Sequence, residues 1–174
     1  MRSADSPSNT SDFTSGGWTI ADHWDDVNTS GSPQNLSLAS GVWDTVVVQG
    51  QSQIPGYLRT NSDWLASKNG SVHLADRIDS EGAAMMLMMT WGRRNGDAQN
   101  PMLYSNFTVM QDRLEQGYID YRDNISLDTS AEIYIAPVGL AFKHIHDSIV
   151  ASGGNPLSPC LLYTSDAADD GLCV

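Results

Sequence analysis

The sequence predicts an α/β protein built on a parallel sheet. Three observations predict it. Short apolar runs recur as "WDTVVVQ" (Trp43 to Gln49), "AAMMLMMT" (Ala83 to Thr90) and "AEIYIAPVG" (Ala131 to Gly139). Segments of helical character separate them, and such alternation implies parallel strands joined by right-handed crossovers. At 174 residues the chain is long enough for one domain with a sizeable core.

Each element has its own local reason. Residues 1–15 are rich in Ser, Asp and Thr and hold little to bury, so they are expected as loop. "GGWTIADHWDD" (Gly16 to Asp26) predicts a glycine turn opening a short helix, and "NTSGSPQN" (Asn28 to Asn35) a connecting loop. The β-branched, continuously apolar run at 43–49 predicts a strand covered on both faces. Residues 61–81 predict helix, capped by Asn61 or Ser62, with Trp64, Leu65, Val72, Leu74 and Ile78 facing inward. Gly70 interrupts this stretch and allows a division into two short helices.

Residues 83–90 predict a second strand on length and context, since methionine is a weak strand former. "WGRRNGDAQNPMLYSN" (Trp91 to Asn106) is a long polar loop. Phe107, Met110, Leu114, Tyr118 and Tyr121 then recur at spacings of three and four, the stripe of an amphipathic helix over 107–121. The third strand ends at Pro137 and Gly139. A helix over 140–151 carries Phe142, Ile145 and Ile149, and "SGGNPLSP" follows as loop.

Composition narrows the function classes. The net charge of −12 argues against nucleic-acid binding driven by phosphate neutralisation. No apolar stretch approaches membrane-spanning length, so no membrane partner is expected. The N-terminal "MRSADSPSNTSD" lacks the apolar core of an export signal. If the full-length protein is secreted or periplasmic, its signal lies upstream. The tail "CLLYTSDAADD" (Cys160 to Asp170) matches, residue for residue, the translation of a transposase-type sequencing-library adaptor. Residues 160–174 are therefore expected to be non-native read-through. Setting aside Asp166, Asp169 and Asp170 leaves a net charge of −9. It also removes Cys160 and Cys173, the only cysteines, and with them any indication of redox compartment. The chain is expected to be a fragment of an environmental gene.

In open parallel sheets ligands bind beyond the carboxyl ends of the strands. "QGQSQ" after the first strand, "TWGRR" after the second and "APVG" after the third therefore share one edge. Ser52 lies at the centre of the first. A nucleophile elbow requires Gly-x-Ser-x-Gly because the following helix packs tightly on the strand. Gly50 and Ser52 fit that pattern, but Ile54 and Pro55 do not. The other reading is a hydrogen-bonding shelf: Gln49, Gln51 and Gln53 bring amide donors able to hold a developing oxyanion, or they serve only the turn's own backbone. Arg93 and Arg94 either clamp an anionic or sugar substrate by forked hydrogen bonds or form local salt bridges. Trp91 either stacks on a sugar or packs, and Asp97 is turn chemistry. His144 and His146, two apart on a helix, face different ways and do not make a metal site. His23 is an ordinary surface histidine.

The order "GGWTIADH … WDTVVVQGQSQIPG … MMLMMTWGRRNGD … IAPVGLAF" resembles the SGNH (GDSL-like) hydrolase superfamily over residues 15–158, most closely an uncharacterised bacterial branch. The resemblance implies a flavodoxin-like three-layer α/β/α sandwich, here incomplete in its first strand and last helix. It implies a partial hydrolase domain over 16–159 and ester hydrolysis by a serine, an Asp-x-x-His pair and an oxyanion hole. Its substrates would be small esters or acetylated sugars, with no cofactor. Gly17, or alternatively Gly16, takes the oxyanion glycine's place, and Gln53 aligns with the family's asparagine, with Gln49 and Gln51 as alternatives. Ser52, Trp91, Arg93 and Arg94 would then contact substrate. No Gly-x-Ser after a strand precedes Gly16, and no Asp-x-x-His follows the last helix. The nucleophile and its histidine are thus expected outside this chain, which by itself would be inactive. The rival from another class is a non-catalytic carbohydrate-binding domain on the same fold.

Overall fold

The computed structural model describes residues 16–156; the expectations for 1–15 and 160–174 fall outside them. Its elements are α1 (Ile20–Asn28), α2 (Pro33–Ala39), β1 (Thr45–Val48), a 3-10 turn (Ile54–Gly56), α3 (Ser62–Ser80), β2 (Ala84–Met88), α4 (Phe107–Asp128), β3 (Ile133–Ala136) and α5 (Val138–Ala151). The fold is α/β with an all-parallel sheet in the order β1-β2-β3, as the alternation of strands and helices predicts.

Register places Val46, Met85 and Ile133 side by side, and likewise Val48, Leu87 and Ile135. These face a core shared with Trp64, Leu74 and Ile78 of α3 and Tyr118, Tyr121 and Ile125 of α4. The stripe on α4 is buried as expected, from Phe107 to Tyr121, and the helix continues a further two turns to Asp128. Two successive crossovers of one hand, each moving one strand in the same direction, put both helices on one face. The other face carries Val47, Met86 and Tyr134 in one row. There Val47 is 57% and Tyr134 48% exposed, which corrects the expectation that the first strand is covered on both sides.

Helix boundaries follow capping chemistry. Thr19 and Asp22 form a reciprocal capping box at α1. Asn61 caps α3 through the amides of Asp63 and Trp64, and Asn106 caps α4 through Val109. The loop expected at 28–35 is partly wrong: Ser32 caps α2, and Pro33 opens it at the position where a missing N–H costs nothing. Gly70 does not divide α3. It is buried where α1 crosses, and a Cβ there would lie 3.0 Å from Ala21 Cα and 3.1 Å from the Ile20 carbonyl. Leu65, expected inside, is 41% exposed on the outer side of α3.

After β1 the chain turns sharply onto α4. The Pro55 carbonyl accepts hydrogen bonds from Trp64 Nε1 and from Arg59, whose guanidinium also pairs with Asp120 on α4. Gly117 makes this docking possible, since a Cβ there would stand 1.8 Å from the Pro55 oxygen. Backbone cannot yield as a flexible side chain does. Gly117→Ala is therefore expected to destabilise the fold by about 3 kcal/mol or more in urea unfolding, at the upper end of overpacking costs. Gly16→Ala, with nothing within 4 Å, should stay within about 0.5 kcal/mol of the parent.

Candidate functional site

The carboxyl ends of the strands are drawn together by contacts between their exit loops. Thr90, just past β2, donates from Oγ1 to the Ser52 carbonyl at 3.0 Å. Met89 N–H donates to Ala136 at the end of β3, and Gly139 N–H donates back to Met89. Gly139 allows this approach: a Cβ there would lie 2.3 Å from the Thr90 oxygen. On the other side, Gly50 packs on Ile20, the first residue of α1, where a Cβ would meet Ile20 Cγ1 at 2.8 Å. The start of α1, which follows Gly17, thus lies against the turn after β1.

Arg93 is the centre of the rim. Its Nη1 donates to Asp97 Oδ1 at 2.9 Å, and its Nη2 to Gln53 Oε1 at 2.9 Å and Ser52 Oγ at 3.3 Å. Asp97 is fully buried and also accepts from the Gln99 amide and from Asn100 Nδ2. The carboxylate is therefore balanced by one guanidinium and closed by its own turn. The Ser52 hydroxyl donates to Gln53 Oε1 at 3.1 Å. With two donors aimed at it, Gln53 Oε1 is fixed as the oxygen, and the amide orientation follows. Gln53 is buried, 6% exposed, and its Nε2 makes no hydrogen bond.

Below this shelf the Gln53 carbonyl accepts from Tyr104 Oη at 2.6 Å. The exit loop of β2 is sewn to α4 by Gly92 N–H on Gln111 Oε1 at 2.9 Å. Sequence reasoning passed over Thr90, Tyr104 and Gln111. The available signal was Gln111, a polar residue directly beside the apolar stripe positions Met110 and Leu114.

The sequence-predicted residues do not all come together. Ser52, Gln53 and Arg93 form one hydrogen-bonded cluster. Gln49 is exposed and Gln51 half-buried, and neither side chain makes a hydrogen bond; Gly17 is exposed at φ +81°. Trp91 packs rather than presenting an open ring: it stacks on Phe142 at 4.7 Å, with its indole Nε1 buried and lacking an acceptor. Arg94 occupies the turn that Gly96 N–H closes on the Arg93 carbonyl, and makes no hydrogen bond or ion pair. His23 bridges α1 to Gln34 of α2. His146 stacks on Phe107 at 4.7 Å and bonds Asp147, while His144 is exposed.

Ser52 is not set up as a nucleophile. Its hydroxyl is donor to an amide oxygen and acceptor from a guanidinium, and no histidine among the described residues is bonded to it. A shallow groove of about 660 Å³ beside the rim is lined by Tyr57, Asn61, Asp63 and Met102 among others; it contains none of the predicted site residues. No helix among the described residues is long and apolar enough to cross a membrane. No family model, curated protein or solved structure matches the chain.

Two predictions follow from this geometry. Arg93→Ala leaves the Asp97 carboxylate buried with only neutral donors, and a loss of about 3 kcal/mol is expected in chemical unfolding. Arg93→Lys should recover only part of it, because one ammonium lacks the fork that spans Asp97 and Gln53. The second concerns alkali. Burial raises the phenol pKa of Tyr104 and Tyr121 well above the ordinary value, and pushes Tyr118 up to about 12. A raised value favours the neutral phenol in the fold. This stabilisation is complete below the unfolded value near about 10 and is lost as pH climbs through the folded values. Phenolate absorbance should therefore show these three tyrosines ionising only together with unfolding, and Tyr118→Phe should flatten the loss of stability above about pH 10.

Proposed function

We propose that this rim is the oxyanion-stabilising part of an SGNH-type serine esterase or acetylhydrolase acting on small or sugar esters. The observation that carries the reading is the Gln53 amide. Its oxygen is pinned by Arg93 and Ser52, which leaves its N–H donors committed in direction but without an acceptor. A donor aligned before the reaction needs no reorganisation when an ester oxygen gains charge, which is the physical basis of oxyanion catalysis. Gly17, in the segment that leads into α1, supplies the backbone donor that the resemblance implies. The nucleophilic serine and the aspartate-oriented histidine come from sequence outside the described residues.

In this mechanism the serine hydroxyl oxygen adds to the ester carbonyl carbon as its proton passes to the histidine, and the carbonyl oxygen becomes an alkoxide. Collapse of that alkoxide expels the alcohol, which takes the proton back from the histidine. Gln53 Nε2 donates to that alkoxide more strongly than to the neutral carbonyl, so it lowers the barrier rather than merely binding. Arg93 acts through Gln53 and is a positioning residue. The carbohydrate-binding alternative needs Trp91 and Arg93 free to grip a sugar. One face of Trp91 is taken by Phe142 and the Arg93 fork by Asp97 and Gln53, so the hydrolase reading is preferred.

Gln53→Glu removes the amide donor while keeping an oxygen for Arg93. The carboxylate still accepts from Arg93 but offers no donor. In the gene product restored with its flanking sequence, Gln53→Glu and Gln53→Ala should each reduce p-nitrophenyl acetate turnover by about 10²–10³-fold. Both should lower the unfolding midpoint, Gln53→Ala by removing the acceptor and Gln53→Glu by adding a second buried carboxylate to the guanidinium that balances Asp97. The present chain should show no turnover. Hydrolysis by this chain that disappears in Ser52→Ala would overturn the reading and install Ser52 as nucleophile.

A further inference from the structure

Asparagine followed by glycine occurs twice among the described residues, at Asn69-Gly70 and at Asn95-Gly96. Both asparagines are exposed, and neither side chain makes a hydrogen bond. Their backbones differ. Asn69-Gly70 lies inside α3, with Gly70 buried where a Cβ would meet Ala21 Cα at 3.0 Å. Asn95-Gly96 lies in a turn closed by one hydrogen bond, from Gly96 N–H to the Arg93 carbonyl at 2.9 Å. Glycine is obligatory there, because Gly96 has φ +74° and a Cβ would stand 2.1 Å from the Tyr104 carbonyl oxygen.

A glycine amide is the least hindered nitrogen a main chain offers, and the asparagine Cγ one residue earlier is within reach of a five-membered ring. We infer that Asn95 is a site of spontaneous deamidation, and that its isoaspartate product loosens the turn that holds Arg93 to Asp97. Hydroxide removes the Gly96 amide proton. The nitrogen then bonds to Asn95 Cγ, the Cγ–Nδ2 bond breaks, and ammonia leaves with a proton taken from water. Water opens the resulting succinimide at Cγ to give aspartate, or at the main-chain carbonyl to give isoaspartate. The net change is ammonia exchanged for water, with no other reactant.

Ring closure requires the glycine nitrogen to rotate towards Cγ, out of the resting geometry of either site. In α3 that rotation breaks the hydrogen-bonded interior of the helix and lifts Gly70 off α1, an opening close to unfolding in its free energy. At Asn95 it breaks a single turn hydrogen bond, and the exposed asparagine moves while buried Gly96 keeps its seat. Turns of this kind open at the low end of a protein's stability range. The product matters because of where it falls. Isoaspartate adds a methylene to the main chain between Arg93 and Asp97, whose side chains pair at 2.9 Å. The same guanidinium holds Gln53, so the rim loosens as the protein ages. The inference does not depend on the hydrolase reading.

The present chain suffices for the test. It is incubated in mildly alkaline buffer, folded or in urea, and peptide mapping by mass spectrometry follows aspartate and isoaspartate at both pairs. In the folded protein Asn95 should convert about tenfold or more faster than Asn69. In urea the two rates should come together. The isoaspartate form, isolated by chromatography, should unfold at lower urea than the parent. Asn95→Asp carries the added charge without the extra methylene and should keep the parent's midpoint. Three results would each overturn the site: equal rates in the folded protein, an Asn95 that persists folded while the urea sample converts, or a difference unchanged in urea. An isoaspartate form as stable as the parent would overturn its link to the Arg93 turn.

Discussion

The rim depends on one buried carboxylate. Asp97 is closed off from water, with its side chain 1% exposed, and a charge so placed is tolerable only beside a counter-charge and satisfied lone pairs. Arg93 provides the first, and the Gln99 amide and Asn100 side chain provide the rest. Because a guanidinium is rigid and planar, holding one edge at Asp97 aims the other at Gln53 and Ser52. The electrostatic need of the β2 loop thereby positions side chains on the β1 loop. This is a coupling across about 40 residues of sequence, counted from Gln53 to Arg93.

Backbone contact supplies the second constraint. Three of the glycines that leave no room for a Cβ join elements at the rim: Gly50 on Ile20, Gly117 on Pro55 and Gly139 on Thr90. None of the three has a positive φ, so their purpose is space rather than left-handed backbone. Each contact lies at or near the carboxyl end of the sheet. Together they bring α1, the 3-10 turn and α5 close enough for hydrogen bonds such as Thr90 to Ser52 and Gly139 to Met89. Conventional packing by α3 and α4 holds the sheet, while these glycine contacts, with backbone at Gly117 and Gly139 and with the Ile20 side chain at Gly50, shape its rim.

Much of the scaffold was legible because it rests on local periodicity. The α4 stripe from Phe107 to Tyr121 reports its own burial, and strand alternation reports parallel pairing. The convergence of three exit loops followed from topology alone. What stayed hidden depended on partners distant in sequence. Gly70 looks like a helix breaker until α1 crosses over it. Val47 looks like a core residue until both crossovers are seen to place their helices on one face. Arg93 and Arg94 are identical as letters, and only Asp97 and Gln53 in space separate a structural guanidinium from an unpartnered one. The short α2 was the avoidable miss, since Ser32-Pro33 is a cap followed by a first-turn proline.

The same reasoning explains why the serine at the centre of the turn is less suited to chemistry than the glutamine beside it. A hydroxyl has one proton, and Ser52 uses it on Gln53 Oε1 while receiving a hydrogen bond from a cation. Such a bond withdraws electron density from the oxygen that would have to attack. An amide has separate donor and acceptor ends, so Gln53 can be anchored by one and act with the other. Asparagine, one methylene shorter, would have to give up the guanidinium or draw the β2 loop inward, and Asp97 resists that movement because its turn is closed by Gln99 and Asn100. Glutamine at position 53 is thus the length required by an anchor fixed on the neighbouring loop.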